Sequence, residues 1–261
     1  METSGALFIA TGEKYVRAGI KAAHSVLKYC PDLPIHLYTD LNSQKSIFQK
    51  TAFPFTTIGI IENPHARSKT EFLARTPFER TLYLDTDTAL HADIVDMFRV
   101  LERFDIAMAH AQHRGAGNLK PWRMVLPDVF PEFNSGVVLY RNTPVVLQFL
   151  EDWGHHFITD WIEAGVRNEQ INHDQTPLRE LLWLSELRIA TLPPEYNVRF
   201  LKYHFLWSKS EAETKIFHLK QLHTGWSHWF KKHGGISKME RKLNPRRIIN
   251  KIKKILNQGN K

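Results

Sequence analysis

The sequence predicts an α/β protein with a mostly parallel central sheet. Short apolar runs of strand length alternate with stretches of helical period, which implies right-handed crossovers. The clearest run, Thr81-Leu82-Tyr83-Leu84, is continuous and does not alternate with polar residues, as expected for a strand that is covered on both faces. A chain of 261 residues with 43% hydrophobic and 24% charged residues is also long and apolar enough to bury one large core.

Apolar runs and helical periods fix the expected order of the elements. Strands are expected at 6–11, 35–38, 57–61, 81–84, 106–109, 135–140, 187–192 and 215–219. Helices are expected at 13–29, between the second and third strands, after Asp93 as N-cap, at 144–158 and at 177–185. The first helix has apolar residues every three or four positions and is stopped by Pro31. Residues 112–131 have no clear period, and their prolines and glycines predict a long functional loop.

Cysteine content, chain start and charge exclude several classes of protein. The single cysteine, Cys30, excludes a disulfide framework and a Cys-rich zinc module. The first residues lack the pattern of a signal peptide and no apolar run approaches ~18 residues, so we expect a cytoplasmic and not a secreted protein. Residues 231–261 carry eleven cations against Glu240, a charge of +10 in a net +8, so the rest is near −2. No nucleic-acid partner is therefore expected.

Two aspartates directly follow the strand at 81–84. On an extended chain, residues i and i+2 point the same way, so the carboxylates of Asp85 and Asp87 would face one divalent cation and link it to phosphate oxygens. Ligands of open α/β sheets gather at the carboxyl ends of strands, where this pair lies. The alternative is a pair of turn and capping aspartates, and the Asp-x-Asp spacing alone does not decide between them.

Several motifs, in the same order, resemble one enzyme family. The segment Arg80-Thr-Leu-Tyr-Leu-Asp-Thr-Asp-Thr88 resembles the strand and DxD motif of GT-A-fold glycosyltransferases that use nucleotide sugars, particularly glycosyltransferase family 8, which includes glycogenin. Further matches are Phe133-Asn-Ser-Gly-Val137, Asp174-Gln175, Leu192-Pro-Pro-Glu-Tyr-Asn197 and Ile216-Phe-His-Leu219. The resemblance covers about residues 7–219 and implies a GT-A (Rossmann-like) domain over residues 1–230.

The resemblance also implies roles for individual residues. Asp85, Asp87 and His218 would hold a divalent metal, with Mn²⁺ favoured over Mg²⁺. Asp174 and Gln175 would lie beside the reacting sugar as catalytic residues. The donor-binding residues that it implies are Ala10, Thr11, Tyr15, Lys69, Asp85, Thr86, Asp87, Asn134, Ser135 and Gly136.

Most of these side chains have a purely structural alternative. Tyr15 opens a helix, where half-buried packing would explain it as well as stacking on a nucleotide base. Lys69 would be a cation on a helix surface instead of a donor contact. Asn134 is typical of a turn, Asp174 of a helix N-cap and His218 of a packed strand.

The sequence departs from the family pattern after His218. Family members usually continue with a glycine and then Lys-Pro-Trp, whose lysine contacts the donor phosphate, and this chain does not. Lys220 is the available substitute, with a solvated surface lysine as the alternative. An insertion rich in Trp and His between Asn134 and Asp174 would alter the acceptor side, and Trp226 and Trp229 are either a sugar platform or a packed edge.

Residues 231–261 form a separate basic tail. Asn244-Pro245 predicts a helix start, and five apolar residues after it fall on one stripe among the cations. A basic amphipathic helix at 244–256 suits an anionic membrane surface, to which each cation contributes ~1 kcal/mol. The alternatives are packing of the stripe on the body of the protein and RNA binding.

These patterns favour a metal-dependent glycosyltransferase of polysaccharide biosynthesis, peripheral on the inner face of a membrane. It would transfer a sugar from a nucleotide diphosphate, with UDP favoured, to a hydroxyl of a glycan or glycolipid, and the resemblance implies retention of configuration. One rival, a sugar-1-phosphate nucleotidyltransferase, would have a Gly-rich, Arg-containing phosphate loop that residues 11–15 lack. The other is a non-catalytic nucleotide- or carbohydrate-binding protein on a degenerate fold. It is disfavoured by four intact residues, Asp85, Asp87, Asp174 and His218.

Overall fold

The computed structural model describes residues 3–49, 51–65, 67–111, 122–163, 174–199 and 213–219. The strands are β1 Ser4–Ala10, β2 Ile35–Asp40, β3 Thr57–Ile61, β4 Arg80–Leu84, β5 Thr88–Leu90, β6 Ile106–His110, β7 Phe133–Arg141, β8 Ile189–Leu192 and β9 Ile216–His218. The helices are α1 Glu13–Tyr29, α2 Leu41–Ile47, α3 Ser68–Phe72, α4 Pro144–Glu163 and α5 Gln175–Leu184. Three 3₁₀ helices cover Leu73–Arg75, Val95–Glu102 and Pro194–Tyr196.

The predicted α/β class and mostly parallel sheet are confirmed. Seven strands form the sheet in the order β3-β2-β1-β4-β7-β6-β8. All neighbouring pairs are parallel except those of β7, which runs antiparallel to both β4 and β6. A separate antiparallel pair joins β5 to β9. The reversal at β7 places its N-terminal residues beside the carboxyl end of β4, where the aspartates follow.

The sheet is buried on both faces. Along β1, Ala6, Phe8 and Ala10 pack with α1 and the 3₁₀ helix Val95–Glu102, whereas Leu7 and Ile9 pack with α4 and α5 on the opposite face. Burial on both sides explains why residues 6–10 of β1 and 82–84 of β4 are continuously apolar instead of alternating. In the part of the chain that the structure describes, no helix is both long and apolar enough to cross a bilayer.

Asp93 is not the N-cap that the sequence predicts. The helix after it is a 3₁₀ helix whose cap residue is Ile94, and Asp93 lies one position earlier. Its Oδ1 still accepts a hydrogen bond from the backbone N–H of Val95, at 2.8 Å. The side chain therefore satisfies a free N–H of the first turn in an Asx-type turn, one position out of register with a true cap.

The predicted loop at 112–131 is described from residue 122 onward, and α5 holds that part in place. Residues 122–131 contain no helix or strand. The buried carboxylate of Glu180 accepts hydrogen bonds from the backbone N–H groups of residues 122–124. The neighbouring Arg179 donates to the carbonyl oxygens of Pro127 and Phe130, both at 2.8 Å. The loop is thus fixed to the helix that begins beside Asp174.

Replacing Glu180 by alanine should destabilise the protein, because three backbone N–H groups lose their common acceptor. A hydrogen bond to a charged group contributes about 1.5–3 kcal/mol, so we expect a fall of about that size in the free energy of unfolding, measured by urea denaturation. Glu186→Ala, at an exposed position of the same region, should change it by less than about 0.5 kcal/mol. Equal unfolding free energies for the two variants would contradict the anchoring role.

Candidate functional site

Three possible metal ligands meet where β4 ends and β5 begins. The carboxylates of Asp85 and Asp87 and the imidazole of His218 offer ligand atoms that all lie within 4.8 Å of one another. His218 Nε2 is 3.1 Å from Asp87 Oδ1 and 3.5 Å from Asp85 Oδ2. Two carboxylates and one imidazole are a donor set that Mn²⁺ accepts well, and the carboxylates alone suit Mg²⁺. The structure therefore brings together the three residues that the sequence singles out as metal ligands.

A turn, and not an extended segment, makes the two carboxylates converge. The backbone N–H and the hydroxyl of Thr88 both donate to the carbonyl of Asp85, at 3.1 and 2.7 Å. The premise that residues 85–87 are extended is therefore wrong, although both carboxylates still point to one place. The β5–β9 pairing sets Thr88 opposite His218, and the N–H of Leu219 donates to the carbonyl of Asp87 at 2.8 Å. Backbone hydrogen bonds thus position all three ligands.

Gly136 leaves the space that two of the possible ligands occupy. Its carbonyl accepts the N–H of Asp85 at 2.8 Å, so β7 passes directly behind the turn. A Cβ atom added at Gly136 would overlap the His218 ring and lie only 2.7 Å from Asp85 Oδ2. Because any side chain here would displace two of the three possible ligands, a glycine is required. This cradle and the donor set together fit a divalent cation.

Lys69 connects the metal ligands to Asp174. Its Nζ lies 2.8 Å from Asp174 Oδ2 and 3.4 Å from Asp85 Oδ1, and it donates to Ser135 Oγ at 3.1 Å. The hydroxyl of Ser135 in turn donates to Asp174 Oδ2 at 2.8 Å. Only 16% of the Lys69 side chain is exposed, so the alternative of a cation on a helix surface is wrong. Asp174 does occupy the N-cap position of α5, as its structural alternative expects, but its side chain makes no capping bond and contacts Lys69 and Ser135 instead.

The ionisation of this network follows from burial and opposing charge. Burial disfavours the ammonium of Lys69, but the carboxylates of Asp174 and Asp85 outweigh it and raise the pKa of Lys69. Burial likewise favours a neutral Asp174, but the charge of Lys69 and hydrogen bonds from Lys69 and Ser135 outweigh it and lower the pKa of Asp174. Both groups are therefore charged at neutral pH. Burial, and then the Asp85 carboxylate, raise the pKa of Tyr83 well above its usual value, so its hydroxyl stays protonated and donates to Asp85 Oδ1 at 2.6 Å.

A cleft of about 380 Å³ adjoins the ligand cluster. It is lined by Ile9, Ala10, Thr11, Tyr15, His65, Arg67, Ser68, Lys69, Tyr83, Asp85, Thr86 and Asp87. Seven of the predicted donor-binding residues are among them, from Ala10 to Asp87. Tyr15, in the first turn of α1, is 45% exposed. The lining contains two cations, Arg67 and Lys69, and two carboxylates that suit a metal ion. These charges suit a phosphorylated ligand that is bound through a metal.

The remaining predicted residues lie behind the cleft. Asn134, Ser135 and Gly136 occupy the start of β7 and are buried against the cluster. Asn134 lies in a strand, not in the turn that was its structural alternative. Gln175 is half-buried at the first position of α5 and takes no part in the hydrogen bonds that join Lys69, Ser135 and Asp174.

Sequence reasoning missed four residues of this region. They are Tyr83, His65, Arg67 and Asn197. The sequence did indicate Tyr83, because it lies two residues before Asp85. Its hydroxyl donates a hydrogen bond to that aspartate. Asn197 lay within a quoted motif but was given no role, and nothing local marked His65 or Arg67.

Several predicted features lie outside the described residues. These are Lys220, Trp226, Trp229, the boundary at 230 and the basic tail 231–261 with its expected helix at 244–256. Residues 112–121 of the predicted loop and 164–173 of the insertion are outside them too.

Replacing Lys69 by methionine should destabilise the protein, because Asp174 would remain buried without a cation. Breaking such a pair costs about 3–5 kcal/mol. Because Lys69 lowers the pKa of folded Asp174, this contribution is complete above the ordinary aspartate pKa of ~3.9 and is lost as pH falls through the lowered value. Denaturation of metal-free protein should show a wide gap from wild type at pH 7 that narrows as pH falls, first because the unpaired Asp174 of the variant is protonated and then because wild-type Asp174 passes through its lowered pKa. Lys21→Met, at an exposed site, should show neither a loss of unfolding free energy nor a change of that loss with pH. A loss in Lys69→Met that does not change with pH would refute the role of Asp174.

Comparisons with known proteins point to one fold. No family model matches the sequence, and no curated protein matches it. Among solved structures, glycosyltransferase GlyE of Streptococcus pneumoniae TIGR4 matches with 18% identity and a TM-score of 0.55, over 84% of this chain and 54% of GlyE. The chain thus spans about half the length of that protein.

Two further structures match over most of their own length. Galactosyltransferase LgtC, solved in complex with donor and acceptor sugar analogs, is 14% identical with a TM-score of 0.57, over 83% of this chain and 87% of LgtC. Mouse xyloside xylosyltransferase 1 is 15% identical with a TM-score of 0.53, over 83% of this chain and 97% of that one. At such low identity the likeness establishes the architecture, and this chain has the GT-A fold of these glycosyltransferases.

Proposed function

We propose that the protein is a glycosyltransferase that moves a sugar from a nucleotide diphosphate, with UDP favoured, to an acceptor hydroxyl with the help of a divalent cation. The observation that carries this proposal is the convergence of Asp85, Asp87 and His218 at the mouth of a cleft lined by Arg67 and Lys69. The glycosyltransferases that share the fold support it. Placement within glycosyltransferase family 8 rests on the motif resemblance and belongs to the proposal.

In this proposal the donor diphosphate lies against the ligand cluster. Asp85, Asp87 and His218 would hold the ion, with Mn²⁺ favoured over Mg²⁺. A bound divalent ion would supply positive charge to the diphosphate as the anomeric bond lengthens. Arg67 lines the same cleft with a guanidinium that suits phosphate oxygens. Tyr15, exposed in the lining of the same cleft, would stack on the base, as would suit its place near Ala10 and Thr11 in the sequence.

Asp174 and Gln175 would lie beside the reacting sugar. Lys69 and Ser135 hold Asp174 ionised and fixed in one orientation, which suits a group that orients sugar hydroxyls. Its carboxylate is already paired with the Lys69 ammonium, so it is a weak proton acceptor at neutral pH. We therefore assign Asp174 to orientation and electrostatic stabilisation in place of general-base work. Retention of configuration, with Gln175 near the anomeric carbon, is the outcome that the motif resemblance favours.

The proposed acceptor is a hydroxyl of a glycan or glycolipid. LgtC, which shares the fold, was solved with donor and acceptor sugar analogs, which supports a glycan acceptor here. The sequence of residues 231–261, with a charge of +10, supports a second domain that binds an anionic membrane surface from the cytoplasmic side. An enzyme held there would reach a membrane-borne precursor of a polysaccharide.

The test is thermal stability against UDP-, GDP-, CDP- and dTDP-sugars, each with and without Mn²⁺. A ligand that binds only the folded state stabilises it, by about 2.7 kcal/mol at a hundred times its dissociation constant. We expect a Mn²⁺-dependent rise in melting temperature with one nucleotide class, UDP first, and hydrolysis or transfer of that sugar. Asp87→Asn should abolish the rise and the turnover, because one of the carboxylates that would hold the ion is lost.

Asp96→Asn is the matched control, since its carboxylate is 85% exposed and only pairs with Arg99 on the surface. It should behave like wild type in both assays. Metal-dependent binding without hydrolysis or transfer, across a broad set of acceptors, would instead favour a binding protein on a degenerate fold. An unchanged response in Asp87→Asn would defeat the assignment of the metal site.

A further inference from the structure

A chain of three hydrogen bonds runs behind the ligand cluster. The backbone N–H of Gly136 donates to Asn134 Oδ1 at 3.2 Å, and Asn197 Nδ2 donates to the same oxygen at 2.9 Å. Asn197 Oδ1 lies 2.9 Å from His218 Nδ1. The side chains of Asn134, Asn197 and His218 are all buried, with residue exposures of 3%, 0% and 3%. Solvent therefore does not compete for these bonds.

The backbone fixes the direction of every bond in this chain. A backbone N–H can only donate, so Asn134 must present its oxygen to Gly136. That oxygen also faces Asn197, which must therefore present its NH₂ group. The carbonyl end of the Asn197 amide then faces His218 and can only accept, so the proton of the neutral imidazole must lie on Nδ1.

We propose that Asn197 is a positioning residue that holds His218 in the Nδ1–H tautomer. In that tautomer the Nε2 lone pair points towards Asp85 and Asp87, where a cation would be bound. In the other tautomer a proton on Nε2 would occupy the ligand position. A hydrogen bond to the distal ring nitrogen also orients the ring and raises its basicity as a ligand. The inference rests on the proposed function only in taking a divalent ion as the occupant.

The fold holds Asn197 at a constant distance from His218. The N–H of Asn197 donates to the carbonyl of Pro194 at 3.1 Å, which closes the 3₁₀ helix Pro194–Tyr196. The next residue, Val198, is joined to β9 on both sides: its N–H donates to Ile216 at 2.9 Å, and its carbonyl accepts from His218 at 3.0 Å. The segment carrying Asn197 is therefore attached to the strand carrying His218. The orientation of the Asn197 amide can therefore set the tautomer of His218 while the backbone of both residues stays in place.

Two substitutions separate positioning from packing. Asn197→Leu removes both the donor and the acceptor, whereas Asn197→Asp keeps an acceptor towards His218 but sets a buried carboxylate oxygen against Asn134 Oδ1. Manganese affinity of both variants and wild type would be measured by EPR on free Mn²⁺, without nucleotide, and folding by circular dichroism and melting temperature. We expect Asn197→Leu to bind Mn²⁺ about 10–100-fold more weakly, the usual effect of losing such a partner, and Asn197→Asp to bind within about threefold of wild type. A merely structural role predicts that both variants lose affinity equally, which would overturn the proposal.

The tautomer itself is read by ¹⁵N NMR of histidine-labelled, metal-free protein. The His218 signals are identified by their loss in His218→Gln, and spectra are recorded above the pH at which the ring has lost its second proton. Wild type should show a protonated Nδ1 and a bare Nε2, and Asn197→Leu should populate the Nε2–H form. A wild-type ring protonated on Nε2, or a tautomer unchanged in Asn197→Leu, would refute the inference. If the wild-type tautomer is as expected but no manganese binds, the proposed function fails and the tautomer assignment stands.

Discussion

The pairing of β5 with β9 is the constraint on which the site depends. It joins a strand that begins three residues after Asp85 to a strand more than a hundred residues later, and it sets Thr88 opposite His218. Without this pairing, Asp85 and Asp87 would lie in a turn with no third possible metal ligand beside them. The same strand fixes Asn197 through backbone bonds from Val198, so both the ligand and the residue behind it depend on this pairing.

Charge balance explains the rest of the arrangement. Three carboxylates, of Asp85, Asp87 and Asp174, lie close together, and Lys69 contacts two of them. Asp174 is satisfied by Lys69 and Ser135, while Asp85 and Asp87 face His218, which is charged only if protonated. The excess negative charge is thus concentrated at the mouth of the cleft. A divalent cation would neutralise it there, and Gly136 leaves room for the His218 ring and the Asp85 carboxylate that would hold it.

Local patterns predicted the sheet and most of the site, because these depend on short stretches of sequence. The strand at 57–61 lies exactly where its apolar run placed it, and β4, with the aspartates after it, follows from a run that is buried on both faces. The turn at Asp85 entered the sequence analysis only as the alternative to an extended segment, since its conformation is set by bonds to Thr88 and to β7. The buried environment of Lys69 could not be predicted either, because it depends on Asp174, which lies 105 positions away in sequence.

The motif resemblance reached residues that local chemistry could not justify. His218 has no sequence neighbour that marks it as a ligand, and only its order among the other motifs suggested that role. Asn197 shows the limit of such transfer, since its motif was recognised but its function follows only from the orientation of three hydrogen bonds. No sequence pattern indicated the contacts of Arg179 and Glu180 with the loop at 122–130, because they join polar groups that are about fifty residues apart.

In the proposed function, one cation is held by this protein and by a nucleotide diphosphate at the same time. Pulsed EPR on Mn²⁺ with the protein and UDP tests it directly, because nitrogen and phosphorus couplings report ligands of the same ion. We expect phosphorus coupling from the diphosphate together with nitrogen coupling from His218, and the nitrogen coupling should disappear in His218→Gln. Phosphorus coupling without nitrogen in wild type, as in Mn²⁺ bound to free UDP, would contradict it.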